Sequence, residues 1–251
     1  MAKIISLHSF QQGVGKSNLT ANLAALLAAE GRRVGVVDAD LQSPAQHFLF
    51  GLGESEQRRT LNDYLWGRCE IVETACEVNR PRGHELAGRV FLVPASTDPS
   101  EIARALREGY DVNRLDAGFN QLIQSLALEV LLVDTHAGLD QVTLLIFAVS
   151  DTLAIVLRPD HQDYQGTSVT VDVARRLSVP RLALIVNKVP AIYNAAEVQA
   201  RVEKAYGCEV AAILPHADEW MALASAGLFV LRFPGHPLTG RLRQAAAQLT
   251  A

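Results

Sequence analysis

A chain of 251 residues, 49% of them hydrophobic and 20% charged, can bury a sizeable core. Its formal net charge of -4 excludes a general polyanion binder and leaves room only for a local basic face. No apolar stretch approaches the ~20 residues that span a bilayer, and the run before the first glycines is too short for a secretion signal, so the expectation is a soluble, cytoplasmic protein.

In chain order, residues 4–7 form a short apolar strand that runs through a glycine-rich turn into a helix over about 16–30. Leu19, Leu23, Leu26 and Leu27 recur there at helical spacing, and Gly31 ends the helix. Residues 34–38 read as a strand closing on a carboxylate, and the charged segment 51–59 as a loop. Short helices are expected at 61–65 and 72–76, a strand at 90–94, helices at 99–107 and 116–126, and a strand at 130–134. A strand at 152–157, a helix at 167–177, a strand at 182–186, a helix at 195–206 and a strand at 210–214 follow, with helices at 218–226 and 239–248. Runs such as Leu131-Leu132-Val133 and Leu184-Ile185-Val186 are apolar on both faces, as parallel strands covered on each side by helices must be. The expected fold is α/β, a doubly wound, mostly parallel sheet flanked by helices, in one domain over 1–251, with ligands at the carboxyl ends of the strands.

Cys69, Cys76 and Cys208 have no metal-ligand spacing and read as free thiols in a reducing compartment. Lys3, Lys16, Lys188 and Lys204 are the only lysines. One of them, Lys16, stands in Gly13-Val14-Gly15-Lys16-Ser17, between an expected strand and an expected helix. Glycines there let successive backbone N–H groups converge on an anion at a helix N-terminus. Lys16 can reach the β- and γ-phosphates of a nucleotide, and the Ser17 hydroxyl can ligate Mg²⁺. Asp38 and Asp134 end buried strands on the same side of the sheet, where they can hold a cation through its water.

Phe10 occupies the first glycine position of G-x-x-x-x-G-K-[ST], and Gln11 and Gln12 follow it. With this loop, Val36-Val37-Asp38-Ala39-Asp40-Leu41-Gln42-Ser43-Pro44, Leu131-Leu132-Val133-Asp134-Thr135-His136-Ala137-Gly138, Asn187-Lys188 and Leu214-Pro215-His216, the chain resembles the MinD/ParA group of deviant Walker A ATPases over nearly its whole length. The resemblance implies Mg²⁺ and ATP as cofactors, with Gln11, Gln12, Gly13, Val14, Gly15, Lys16, Ser17 and Asn18 around the phosphates and Asn187 and Pro215 near adenine. Ser17, Asp38 and Asp134 would serve the metal, and Asp40 would orient the attacking water. Asn187-Lys188-Val189-Pro190 lacks the aspartate of the guanine-reading N-K-x-D pattern. His136 stands where relatives often carry proline, and reads either as a structural hydrogen-bonding residue or as a dimer contact.

The chain departs from that family at its signature lysine, replaced by Gln11, which carries no charge to a partner's phosphates. Arg158, at the end of the 152–157 strand, is the candidate for supplying that charge in trans, against a plain surface role. The resemblance further implies an ATP-state homodimer, slow hydrolysis stimulated by a protein partner or activator, and the positioning of cellular cargo. A nucleotide-gated interaction module with negligible turnover is the alternative, and a dethiobiotin-synthetase-like ligase is a third class, without a residue signature for a second substrate. Arg175, Arg176, Arg181, Arg201, Lys204, Arg232, Arg241 and Arg243 would form a face for non-specific DNA if they clustered. The C-terminal segment 238–249, with two arginines and weak hydrophobicity, is a poor membrane anchor.

Overall fold

The computed structural model describes residues 2–53, 59–78, 80–108, 111 and 113–251. Eight strands form one sheet: β1 (Lys3–His8), β2 (Arg33–Asp38), β3 (Cys76–Glu77), β4 (Arg89–Val93), β5 (Val130–Asp134), β6 (Thr152–Leu157), β7 (Arg181–Val189) and β8 (Glu209–Pro215). Their order is β3-β4-β2-β5-β1-β6-β7-β8, parallel throughout except for β3, which runs antiparallel on the β4 edge. Strand side chains alternate between faces. On one face Ile5, Leu7, Val34, Val36, Leu132 and Ile185 join one core with α1 (Lys16–Ala29) and α11 (Pro237–Thr250). On the other, Ile4, Val37, Leu131 and Val133 meet α5 (Arg114–Ser125) and α6 (Gln141–Val149). Farther along that face, Leu153, Ile155 and Leu184 pack with α7 (His161–Arg176) and α8 (Ala195–Tyr206). The expected doubly wound sheet is what the chain forms. The strands β2, β4 and β5 lie to one side of β1 and β6 to β8 to the other, so the order reverses around β1, whose carboxyl end carries the glycine loop.

Several elements differ from the periodicity reading. The segment expected as a helix at 72–76 is a 3₁₀ turn, Ile71–Thr74, followed by edge strand β3, because Cys76 and Glu77 pair with Leu92 and Phe91 of β4. Helix α7 starts six residues before the expected 167, since the Asp160 side chain accepts from the Asp163 N–H and caps it there. Two short helices without a clear period, α2 (Gln46–Phe50) and α10 (Phe229–Arg232), are held by packing, as is α6, whose run is too uniformly apolar to show a stripe. The other short ones are α3 (Leu61–Leu65), in the expected place, α4 (Pro99–Glu108) and α9 (Asp218–Ala222). The centre of the charged loop expected at 51–59, residues 54–58, lies outside the described residues.

Cys69, Cys76 and Cys208 form no disulfide among the described residues, and Cys208 is buried. Helix α11 spends its apolar residues Leu238, Leu242, Ala245, Ala246 and Leu249 on the core. Among the described residues, no helix is long and apolar enough to cross a membrane. Three of the basic residues considered for DNA are structural ties: Arg175 bonds the Tyr206 carbonyl, Arg181 the Gln248 carbonyl and Glu209, and Arg241 the Ile213 carbonyl.

Phe10 owes its place in the loop to Gly166 of α7. A Cβ built on Gly166 would lie 2.2 Å from Phe10 Cδ1 and 2.7 Å from Phe10 Cβ, so the ring lies directly on the α7 backbone. Gly166→Ala is expected to expel the ring and cost about 1–3 kcal/mol of unfolding free energy, measured by urea denaturation. Unchanged stability would show that the ring can move aside freely.

Candidate functional site

Residues 9–17 turn from β1 into α1. Gly13 (φ +76°) and Gly15 (φ +100°) adopt left-handed conformations that a side chain would strain, and a Cβ on Gly15 would lie 2.6 Å from Asn187 Nδ2. Between them Val14 is buried and anchors the loop in the core. Helix α1 has no acidic residue in its first turn, so the positive end of its dipole is not neutralised from within. The loop is braced from β7: Asn187 donates to the Val14 carbonyl (2.7 Å), and Lys188 donates through Nζ to the Gly13 carbonyl (2.8 Å). Lys188 itself sits at φ +55° in an irregular stretch of the β7–β8 pairing. Asn187 Oδ1 also accepts from the Lys188 N–H, so one amide hydrogen and one lone pair remain for a base.

A cavity of about 430 Å³ opens over this loop. Gln12, Gly13, Val14, Gly15, Lys16 and Ser17 form its phosphate-loop side, and Asp40 and Ser43 another edge. Asn18, Asn187 and Pro215 also line it, so the expected nucleotide residues meet at one cavity, apart from Gln11. The far wall was not legible in the sequence: Trp220, Met221, Ala224 and Ser225 close it, with Trp220 stacked on Phe229 at 5.1 Å. A lone tryptophan in a weakly periodic segment gives no signal of that role; its burden is carried by contacts with residues far away in sequence.

Behind the loop, Asp38 and Asp134 are register partners on neighbouring strands and are fully buried. Burial, reinforced by the Asp134 charge, raises the Asp38 carboxyl well above the usual carboxylate range. Asp38 Oδ2 accepts from the Ala45 and Gln46 N–H groups at 2.9 and 3.0 Å, which closes residues 38–46 into a loop. Asp40 is nearly buried on that loop and accepts from the Ser43 N–H (3.0 Å); burial raises its carboxyl while Lys16 opposes the shift. Lys16 Nζ lies 3.9 Å from Asp134 Oδ1. Among the described residues, Asp38 Oδ1 and Asp134 Oδ1 have no hydrogen-bond partner, and an orphaned buried acceptor costs about 1–3 kcal/mol. Two carboxylates and the Ser17 hydroxyl are the hard oxygen donors that Mg²⁺ takes, so these residues fit such a cation. Among the described residues no group of three His, Cys, Asp or Glu could hold a metal, so phosphate and water would have to supply the rest of its shell.

His136 and Asp140 pair at 3.1 Å beside the loop; burial pushes Asp140 upward, but hydrogen bonds from His136 and Thr143 outweigh it and hold the carboxyl at about 2. Arg158 does not line the cavity. Its Nε is bound to Asp163 (2.8 Å) and lies 3.2 Å from Asp160.

Fold and loop together define a P-loop nucleotide-binding protein. The chain belongs to the CobQ/CobB/MinD/ParA nucleotide binding domain family, which matches residues 5–230. It is 27% identical over 250 residues to an uncharacterised ATP-binding protein of Methanocaldococcus jannaschii, covering 99% of this chain and 88% of that one. It is 33% identical over 157 residues to the antiactivator FleN of Pseudomonas aeruginosa, covering 61% of this chain and 50% of that relative's length. The septum site-determining protein MinD complexed with Mg-ADP from Pyrococcus horikoshii has the same fold, with a TM-score of 0.80 at 20% identity over 99% of this chain and 96% of that one.

His8, at the end of β1, is fully buried and pairs through Nδ1 with Thr135 Oγ1 at 2.8 Å. Burial, then the nearby Lys16 charge, lower its pKa to about 3. The folded imidazole therefore stays neutral while the unfolded one takes up a proton below its ordinary value of 6.5. Its contribution is absent above that value, and stability is lost as pH falls from there toward 3, at a limiting slope of about 1.4 kcal/mol per pH unit. Denaturation between pH 7 and 4 should show His8→Gln losing less stability than wild type over this window; parallel curves would contradict the assignment.

Proposed function

We propose that residues 1–251 form one deviant Walker A ATPase domain that binds Mg²⁺·ATP, dimerises in the ATP state and hydrolyses it slowly to position or partition cellular cargo. The observation that carries the reading is the cavity over the glycine loop, where Lys16, Ser17 and Asp40 meet in front of the Asp38–Asp134 pair. Lys16 Nζ lies 3.9 Å from Asp134 Oδ1; a triphosphate would draw it forward, because a phosphate oxygen offers more charge at shorter range than that carboxylate. The Gly13–Ser17 backbone N–H groups and the end of α1 would cradle the phosphates. Ser17 would hold Mg²⁺ directly, and Asp38 and Asp134 through its water. The bound cation would neutralise the β- and γ-phosphate charge. Asp40 would orient the attacking water from the edge of the cavity. Asn187 and Pro215 would face the base, and the absence of a guanine-reading aspartate after Lys188 favours adenine.

Slow turnover follows from the charge inventory. Gln11 is neutral, so Arg158 remains the candidate for the trans charge; to act it would have to leave Asp160 and Asp163. That tether favours a second reading, a nucleotide-gated interaction module with negligible turnover that recruits a protein partner. The fold shared with the Mg-ADP complex of a septum site-determining protein supports a role in cellular positioning. Non-specific DNA is the weaker surface, since three of the arginines considered for it are internal ties.

Calorimetry should detect ATP uptake in the presence of Mg²⁺ by wild type and a loss of at least tenfold in affinity in Lys16→Ala, the scale of one charge-assisted contact of about 1.4 kcal/mol or more. Retention of full affinity by the variant would overturn the site. Steady-state phosphate release, with light scattering to follow ATP-dependent dimerisation, then separates the cycling ATPase from the non-hydrolysing module.

A further inference from the structure

Gln46 is absent from every motif in the chain, yet it touches each part of the region behind the phosphate loop. It opens α2, is fully buried, and uses both hydrogens of its side-chain amide. One goes to the Ser17 carbonyl (3.0 Å) and the other to Asp134 Oδ2 (2.8 Å). Its backbone N–H goes to Asp38 Oδ2 (3.0 Å). A single residue thus binds both strand-end carboxylates and the backbone of Ser17, which lines the cavity. Among the described residues, the Gln46 amide is the one hydrogen-bond donor recorded on the Asp134 carboxylate.

What the residue leaves unpaired is as informative. Among the described residues, Gln46 Oε1, Asp38 Oδ1 and Asp134 Oδ1 are buried without a hydrogen-bond partner, and the last of them has only the Lys16 charge 3.9 Å away. Three such acceptor oxygens, on residues joined by hydrogen bonds, are the complement of a hydrated cation, whose water shell presents donors and positive charge. A buried amide carbonyl without a donor is costly, and a cation's water arriving there would remove that cost.

We propose that Gln46 is a positioning residue for the cation subsite: its amide fixes Asp134 and the Ser17 turn relative to Asp38, and Oε1 accepts from the cation's water. The inference rests on the proposed binding of Mg²⁺ with nucleotide at this loop. Donor bonds of this kind fix the orientation of the groups that hold a metal, and losing one typically costs about 10–100-fold in metal affinity. The amide also helps two carboxylates sit side by side behind the loop, since its neutral N–H stabilises Asp134 without adding to the positive charge that Lys16 already brings to within 3.9 Å.

The test uses the full chain and a fluorescent ATP analogue, titrated with Mg²⁺ and, separately, in EDTA. Gln46→Met keeps the volume and removes both donors and the acceptor. Gln46→Glu keeps acceptors, removes the amide donors, and serves as a second variant if the first fails to fold by thermal melting. The expected result is that wild type tightens on the nucleotide as Mg²⁺ is added, while the variants need about 10–100-fold more Mg²⁺ for the same tightening. Their affinities in EDTA should stay within about twofold of wild type, since the Gly13–Ser17 N–H groups and Lys16 are untouched. A Mg²⁺ response equal to wild type in the variants would overturn the proposal, and so would an equal loss with and without Mg²⁺, which marks a general packing defect. If wild type binds the analogue but shows no Mg²⁺ response, the inference fails while nucleotide binding stands. If wild type binds none, both fall together.

Discussion

Two carboxylates buried side by side at the ends of neighbouring strands are the constraint around which the rest of this molecule is arranged. Asp38 and Asp134 lie in register on β2 and β5, out of reach of solvent. Like charges in a medium of low polarity repel, and the burial of each adds a further penalty. The surrounding structure answers with backbone N–H groups from Ala45 and Gln46, the Gln46 amide, and Lys16 at longer range. Among the described residues, none of these hydrogen-bonds Asp38 Oδ1 or Asp134 Oδ1, and the second has only the Lys16 charge 3.9 Å away. Such incomplete compensation is a cost to folding, and it is tolerated where a ligand supplies the missing charge.

The glycine loop in front of that pair is held from outside as much as by its own conformation. Left-handed Gly13 and Gly15 permit the turn, but its position is set by Asn187 and Lys188 reaching across from β7 to the carbonyls between. These bonds occupy carbonyl oxygens of the loop and not its amide hydrogens, which are the groups an anion requires. Phe10, pressed on the bare backbone of Gly166, anchors the beginning of the loop in the same way. Loop, braces and the aromatic wall at Trp220 come from four separate stretches of chain that only the crossing of strands at β1 brings together.

Charge in this protein is spent largely on structure. Arg158 is bound to Asp160 and Asp163, Arg181 to Glu209, and Arg175 and Arg241 to backbone carbonyls. The lysine that faces the cavity from the loop, Lys16, and the one that braces it, Lys188, are two of only four in the chain. A site with so few uncommitted cations depends on oriented backbone dipoles for much of its attraction to phosphate, and such dipoles are screened less by salt than exposed side chains because they are fixed and shielded.

The sequence alone determined the sheet and its loop. Strand runs apolar on both faces, a glycine turn between strand and helix, and aspartates at strand ends are local patterns, since each follows from burial or backbone geometry within a few residues. It did not determine the edge strand at Cys76–Glu77 or the early start of α7 at the Asp160 cap, where pairing or capping outweighs local preference. Nor could spacing expose Gln46: a lone glutamine between Ala45 and His47 carries no motif, and only the fold brings it into the interior beside two aspartates ninety-six residues apart, 134 less 38. Motifs record what a ligand demands of the backbone nearby; the partners that hold those groups in place are set by tertiary contacts, which carry no period and no fixed spacing.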